Sequence, residues 1–395
     1  MSGSVESYRL APDNPLERAA TLSLTIGVAA LFACAYFALI APPRMLQSYL
    51  VAFLFWSGIP LGSLAILMLQ HITGGAWGSV LRRTLESATR TFPLVAIFFL
   101  PIAIGAFHIY EWARPDAVAH DALLQHKQIY LNHPFFLVRA VIYFAAWMTL
   151  SYFLCRWSRR QDEGDLEVQR HMENTSRGGL LVFTLTMTFA SVDWAMSLEP
   201  HWFSTIYGIL FIGGQVLSAL AFAILVAALL ATQRAVGAVI SPDRFHDLGK
   251  LLLAFVMLWA YFSFSQFLII WSGNLPEETP WYLRRLHGGW QWAAVGLVLF
   301  HFALPFVLLL SRSLKRSRQW LMAVAAIVLG MRIVDLSWLI LPAFEREGFM
   351  IQLSDVLAFA GVGGVWFFYF VRQLRQATVL PLHDDQLLDM PQVQV

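Results

Sequence analysis

"LMAVAAIVLGMRIVDLSWLI" fills residues 321 to 340, and its only charged members are Arg332 and Asp335, three positions apart. A helix of about 20 apolar residues matches the ~30 Å hydrocarbon core of a bilayer. The stretch therefore reads as a membrane span that carries two charges for a reason. The rest of the chain repeats the pattern. Of its 395 residues 58% are hydrophobic and 13% charged, where a soluble domain carries roughly 25% charged residues. Mean hydropathy is +0.61. Ten apolar stretches of span length centre near Ala30, Ile59, Pro101, Ala145, Thr186, Leu217, Trp259, Leu299, Gly330 and Gly361. The expected fold is an all-α integral membrane protein with ten transmembrane helices. Pro60, Pro101 and Pro305 fall inside spans, where neighbouring groups can satisfy the freed backbone, and they read as kinks.

Orientation follows from the distribution of Lys and Arg. The N-terminus, the loops after the second, fourth, sixth and eighth spans, and the C-terminus hold 19 of the 27 basic residues. The opposite loops hold Arg44, Arg114, Lys127, Arg139, Arg284, Arg285 and Arg346, which leaves Arg332 as the one basic residue inside a span. Both termini are expected in the cytoplasm. The polar start, "MSGSVESYRLAPDNPLERAA", lacks the basic start and short apolar core of a cleaved signal. No loop is long enough for an inserted domain. The chain reads as one polytopic membrane domain, with a segment at 1–17, a helical bundle over 18–375 and a tail at 376–395. Residues 74 to 90, "GGAWGSVLRRTLESATR", read as a helix lying on the cytoplasmic interface. The charged 158–177 stretch reads as a solvated connection. "WAMSLEPHWF" (194–203) and "IWSGNLPEETPWY" (270–282) echo each other faintly.

Ionisable groups inside a bilayer cost about 2.5 to 3.5 kcal/mol each on insertion scales and usually face the bundle interior or a wet path. Arg332 and Asp335 share one helix face. They are either a static ion pair or take part in proton or quinone chemistry, because a guanidinium favours the ionised form of a neighbouring carboxyl. Toward the outer half lie His108 and Glu111 in "FHIYEWA", Asp193, Gln266, His287, Gln291 and Asp355. Together they could line one wet cavity; singly, each reads as an interfacial group. In the cytoplasmic half, His71 closes the second span and Glu86 lies on the interfacial segment. Thr184, Thr186 and Thr188 climb toward Asp193, and His301 sits near the middle of the eighth span. Such an order of hydroxyls, imidazole and carboxylate suits proton transfer through waters, unless the threonines bond their own helix.

Several chemistries find no ligands. Cys34 and Cys155 cannot supply four thiolates for an iron–sulfur cluster or a closed zinc site. His71, His108, His287 and His301 offer no facing pair for haem, and His120, His126 and His133 are irregularly spaced for a metal. A net charge of +2 gives no argument for nucleic acid. Fifteen Trp residues, several at predicted interfaces, read as an aromatic belt.

Four stretches carry a resemblance: "KQIYLNHPFFLVRAVIYFAAW" (127–147), "SVDWAMSLEPHWFSTIYGILF" (191–211), "FSQFLIIWSGNLPEETPWYLRR" (264–285) and "RIVDLSWLILP" (332–342). They resemble the membrane quinone-binding subunits of alternative complex III, a quinol:cytochrome c oxidoreductase, within the polysulfide reductase, NrfD-like family. The resemblance covers residues 18 to 375, and the third stretch is its most specific part. It implies ten helices, with spans two to five and six to nine forming two four-helix bundles beside two peripheral helices. It also implies a bacterial inner-membrane complex with a larger homologous membrane subunit, an iron–sulfur protein and c-type cytochrome subunits, in some cases joined to a terminal oxidase. The redox centres, haem c and iron–sulfur clusters, would belong to those partners.

The length of this chain is more similar to the shorter of the two paired membrane subunits, for which proton conduction is proposed. Arg332, Asp335 and Asp193 stand inside matching stretches. His71, Glu86, Thr184, Thr188 and His301 rest on placement alone. His108, Glu111, Gln266 and Asp355 are the candidates for contact with menaquinone or ubiquinone. Two other classes compete. A secondary transporter would show broken helices and repeats, neither of which is evident in the sequence. A passive anchor would tolerate neutral residues at Asp193, Arg332 and Asp335.

Overall fold

A computed structural model describes residues 8–165, 167–344, 348 and 350–381. Arg346, counted above with the outer loops, and most of the 376–395 tail lie outside the described residues. Among the described residues there are helices and no strands. The long ones are α1 (Pro15–Ile40), α2 (Pro42–Thr73), α3 (Ala76–Thr89), α4 (Phe92–Ile104), α5 (His133–Asp162), α6 (Val168–Trp194) and α7 (Tyr207–Leu230). After them come α8 (Pro242–Gly273), α9 (Trp290–Leu310), α10 (Arg318–Ile340) and α11 (Leu353–Leu374). Nine of these are long and apolar enough to cross a membrane, and the bent pair α3–α4 adds a tenth if it counts as one span.

The helix starts follow local chemistry. Asn14 and Asn132 accept hydrogen bonds from backbone N–H groups in the first turns of α1 and α5, and proline follows each at a position where its missing donor costs nothing. At α11, Gln352 and Asp355 form a reciprocal capping box.

Helix α2 is the axis of the molecule. Of its most apolar window 94% is buried, against 17% for α1 and 22% for α8 and for α9. It packs on α6, α4 and α5 on one side and on α7 on the other; α7 in turn packs on α8 and α10. Helices α1 and α11 lie together at the flank, where Trp56 of α2 donates to the Phe359 carbonyl (3.0 Å) and Trp366 of α11 donates to Thr91 Oγ1 (2.9 Å). The two ends of the described chain meet, with Val379 N–H donating to the Tyr8 carbonyl at 2.8 Å and Arg375 pairing with Glu17 at 3.0 Å. Outward faces of α1, α8 and α9 expose Leu22, Phe32, Leu39, Tyr261, Phe264, Val298 and Phe300, the composition of a lipid-facing surface.

Two expectations need correction. Residues 74–90 do not lie on an interface. Gly74 and Gly75, at φ +66 and +104, conformations that glycine adopts at little cost, turn the chain back. Every residue of α3 from Gly78 to Thr89 is buried against α2, α7, α11, α8 and α5. Helix α4 follows at a 43° bend and, with 13 residues, is only about 20 Å long. The span centred on Pro101 is thus short and preceded by a buried polar helix. Secondly, Arg332 is not the one basic residue buried in a long helix: Arg139 on α5 and Arg82 and Arg83 on α3 are buried too.

Pro60 lies inside an unbroken α2. Around Pro305 the disturbance falls upstream, as a π-helical stretch over Leu297–Ala303. Proline cannot donate to the carbonyl four residues back, which here belongs to His301.

Candidate functional site

The buried charges form three clusters. The first stands where α6 ends, at the end of the molecule away from both termini. Arg139 on α5 grips Asp193 through two of its three nitrogens, Nε to Oδ2 at 2.8 Å and Nη2 to Oδ1 at 2.9 Å. Tyr143, one turn further along α5 and so on the same face, donates to Oδ2 at 2.8 Å. The remaining nitrogen of Arg139 reaches the Tyr130 carbonyl at 2.8 Å, and the guanidinium lies over the Tyr130 and Phe135 rings at 3.9 and 4.4 Å. Trp194, next to Asp193, is closed in by Phe53, Phe99, Phe144 and Trp147. Sequence reasoning assigned Arg139 to a loop and missed this pairing. The signal was present in "LVRAVIY", an Arg and a Tyr four apart in an apolar run.

The second cluster lies in the other half. Arg332 and Asp335 of α10 form an ion pair. Arg332 Nε donates to Ser218 Oγ of α7 at 3.2 Å, and Trp259 Nε1 of α8 donates to Asp335 Oδ2 at 3.3 Å. The His301 ring, from the π-helical stretch of α9, stands edge-on to Trp259 with centroids 4.3 Å apart. A Cβ at Gly214 would collide with the Arg332 guanidinium, so glycine there lets the charge lie against the α7 backbone. Four helices therefore contribute to one cluster, α8 touching the acid itself, α7 reaching it through Arg332 and α9 through Trp259. Both ring nitrogens of His301 and both amide atoms of Gln215, one turn before Ser218, are buried without a hydrogen-bond partner among the described residues. Unsatisfied buried polar atoms are costly, and such groups ordinarily bond internal water.

The third cluster occupies the end that carries the termini. Glu86 receives Arg82 at 3.1 Å and Arg83 at 2.8 Å, Arg83 also pairs with Asp162, and Ser158 Oγ accepts from both arginines at 3.0 Å. His71 Nδ1 meets Ser176 Oγ at 3.1 Å. Its Nε2, with Gln70 Oε1, Thr84 Oγ1 and Arg83 Nε, has no partner among the described residues. Asp162 and Ser158 belong to the stretch read as a solvated connection; α5 instead carries them inward.

A fourth ionic contact ties the halves together. Glu199 accepts from Arg284 at 2.7 Å and Arg285 at 2.8 Å, and Arg285 also donates to the Trp338 and Leu339 carbonyls at the end of α10. Burial pulls the Arg285 guanidinium below its ordinary pKa, while Glu199 opposes that shift. Trp202 stacks on Trp281 at 4.7 Å and 15°. The two segments that echo each other in sequence are therefore packed face to face.

Other expected residues are dispersed. Thr184 is exposed, and Thr186 is half-buried, donates to the Val182 carbonyl at 2.7 Å and accepts from Trp147 at 3.0 Å. Thr188 is half-buried, and a Cβ on Gly208 would strike it. No ladder of hydroxyls climbs to Asp193. His108 is exposed and Glu111 pairs at 3.7 Å with Arg114; Tyr110 between them is extended, so the two do not share a helix face. Gln266 is buried, accepting from Ser204 at 3.3 Å, while Asp355 pairs with Arg44 at 3.1 Å and accepts from Ser48 at 2.6 Å. His287 is exposed, and Gln291 accepts from the Gly289 N–H. Among the described residues these side chains share no hydrogen-bond partner, and the structure does not gather them into one site. A cavity of about 450 Å³ opens instead beside Tyr130, Val192, Met196, Ser197 and Trp202, without His108, Glu111, Gln266 or Asp355. Among the described residues no group of three or more His, Cys, Asp or Glu could hold a metal ion.

No protein-family model matches the chain, and no curated protein matches it in sequence.

Proposed function

We propose that the chain is a membrane subunit of a respiratory quinol:cytochrome c oxidoreductase of the alternative complex III type, in which its buried clusters carry protons. The observation that carries this reading is the second cluster. A carboxylate at span depth is held by an arginine and a tryptophan from different helices, and against that tryptophan packs a histidine whose ring nitrogens lack partners among the described residues. A purely structural ion pair has no need of an unsatisfied imidazole next to it. In this reading Asp335 and His301 exchange protons through internal water, while Arg332 is the counter-charge beside the carboxyl. His71 and Glu86 serve the end bearing the termini, and Asp193 serves the opposite end. Thr184 and Thr188 have no part in the path.

The finer topology belongs to the same proposal: ten spans in a bacterial inner membrane, two four-helix bundles flanked by α1 and α11, and cytoplasmic termini. Setting aside the buried Arg82, Arg83, Lys315, Arg139 and Arg285 leaves 16 basic residues on the terminal side against 5 opposite, which supports that orientation. The proposed partners are a larger homologous membrane subunit, an iron–sulfur protein, c-type cytochromes and a terminal oxidase. They hold the haem c and iron–sulfur centres. His108, Glu111, Gln266 and Asp355 lie apart and do not fit a quinone headgroup between them, so no step is assigned to quinone on this chain.

Asp335→Asn is expected to impair coupled turnover while leaving assembly intact. Proton release and uptake per electron at the wild-type ratio, measured in vesicles reconstituted with the variant complex, would overturn the proton-path assignment. The complex itself is tested by gentle purification of the tagged chain, which should bring down haem-bearing and iron–sulfur proteins. One observation favours a secondary transporter: the bend between α3 and α4 beside a buried polar helix is the interrupted span such proteins use. A colourless preparation containing only this chain would favour that reading.

A further inference from the structure

At the end that carries the termini, α8 begins beside the short helix Arg312–Arg316. The contact brings Arg244, Lys250, Arg312, Lys315 and Arg316 together around two acids. Asp247 pairs with Lys250 at 3.1 Å and Arg244 at 3.6 Å, and Asp243 pairs with Arg316 at 2.5 Å. Arg312 and Lys315 have no ion pair among the described residues. Lys315 is 7% exposed; its stem is pressed across Gly249, where a Cβ would lie 2.6 Å from Lys315 Cγ. The charges of Lys250, Lys315 and Arg312 all bear on His246, opposed by Asp247, which places the three cations and one acid around one point of the surface. Five cations thus meet two acids here, leaving a net positive charge where the protein buries most of a lysine to reach it.

The surface beside this point is apolar. Along α8, the face shared with Lys250 continues through Ala254, Met257 and Leu258, and across the α8–α9 contact stand the exposed Val307 and Leu310. Trp320, also exposed, lies at the start of α10 at the same end, a place typical of headgroup level. Cations above an apolar seam match one kind of molecule: a phosphate above acyl chains. We propose that this corner is a binding site for an anionic phospholipid, with its phosphate between Arg312, Lys315 and Lys250 and its chains along the α8–α9 seam. The assignment is independent of the respiratory reading and of which compartment the termini face.

The test is lipid titration of the full chain in neutral detergent, read by native mass spectrometry, with dioleoylphosphatidylglycerol, dioleoylphosphatidylcholine and inorganic phosphate as probes. The wild type is expected to retain phosphatidylglycerol at least tenfold better than phosphatidylcholine. Arg312→Gln and Lys250→Gln, whose side chains are exposed, should each weaken retention about fivefold, the effect of one cation at a charged membrane surface. Equal retention of the two lipids overturns the proposal, as does phosphatidylglycerol binding that both variants leave unchanged. Displacement of the lipid by millimolar inorganic phosphate, with the same dependence on Arg312 and Lys250, overturns the lipid as occupant and leaves a free-anion site. Lys315→Gln tests the buried stem; Lys315→Arg should restore retention if its charge is what matters.

Discussion

Asp193 is held by two side chains one helical turn apart on α5, and each kind of replacement tests a different part of that arrangement. Removing one partner of a buried pair leaves a charge stranded at a cost of about 3 to 5 kcal/mol, whereas replacing both by apolar residues is often close to neutral. Arg139→Leu should therefore destabilise the purified chain by that amount in detergent unfolding, and Arg139→Leu with Asp193→Leu should recover most of it. Losses that simply add would count against the pairing. At the second cluster, Gly214→Ala should displace the Arg332 guanidinium and weaken its bond to Ser218. Its effect on coupled turnover should approach that of Asp335→Asn, and a variant with normal turnover and stability would count against the close approach. Arg332 and Asp335 were legible because opposite charges three apart share a helix face, and a bilayer tolerates them when they are paired or turned inward. Arg139 was not, because it is only the seventh residue of α5 and a count of loop charges assigns it to the loop. His301 was a candidate on placement alone, since nothing in its own stretch reveals that Trp259 reaches it from another helix.

At the scale of elements, α3 is where pattern reading failed. Its residues alternate polar and apolar as a surface helix does, so composition placed it at an interface. Its burial is decided by ion pairs with α5 and by the glycine turn that folds it inward, neither of which is a hydropathy signal. A cysteine at Ser79, 0% exposed, should resist a membrane-impermeant maleimide, while one at the exposed Arg159 should label from the side bearing the termini. Equal labelling would return α3 to the interface. Gly75→Ala puts a Cβ at φ +104 and within 2.8 Å of the Trp77 ring. Such strain costs about 1 to 3 kcal/mol, to be read as a lowered midpoint of unfolding. The long apolar helices, by contrast, were legible to within a few residues, because span length is set by the bilayer and marked by runs that no soluble element resembles.

For the whole molecule, contact between the two ends of the described chain requires that both lie on one side of the bilayer. Fluorescent reporters fused to the N- and C-termini should report the same compartment, and opposite signals would break the arrangement of α1 beside α11. That the chain is built of many long apolar helices was readable from sequence, but which helices neighbour one another was not. The central position of α2 is hinted at only by its length and continuous apolarity, since periodicity cannot distinguish a helix buried on all sides from one facing lipid.

The contact of Glu199 with Arg285 also bears on how the chain is made. Asp193 finds Arg139 within the first half of the chain, so that pair can close as soon as α6 has entered the bilayer. Glu199 emerges six residues later, but its guanidinium partner lies 86 residues downstream. The carbonyls that complete the Arg285 shell come another 53 and 54 residues after that. During synthesis Glu199 must therefore wait in water or among headgroups, and the two halves cannot lock until α10 has been inserted. The order of biogenesis is written into the position of one glutamate.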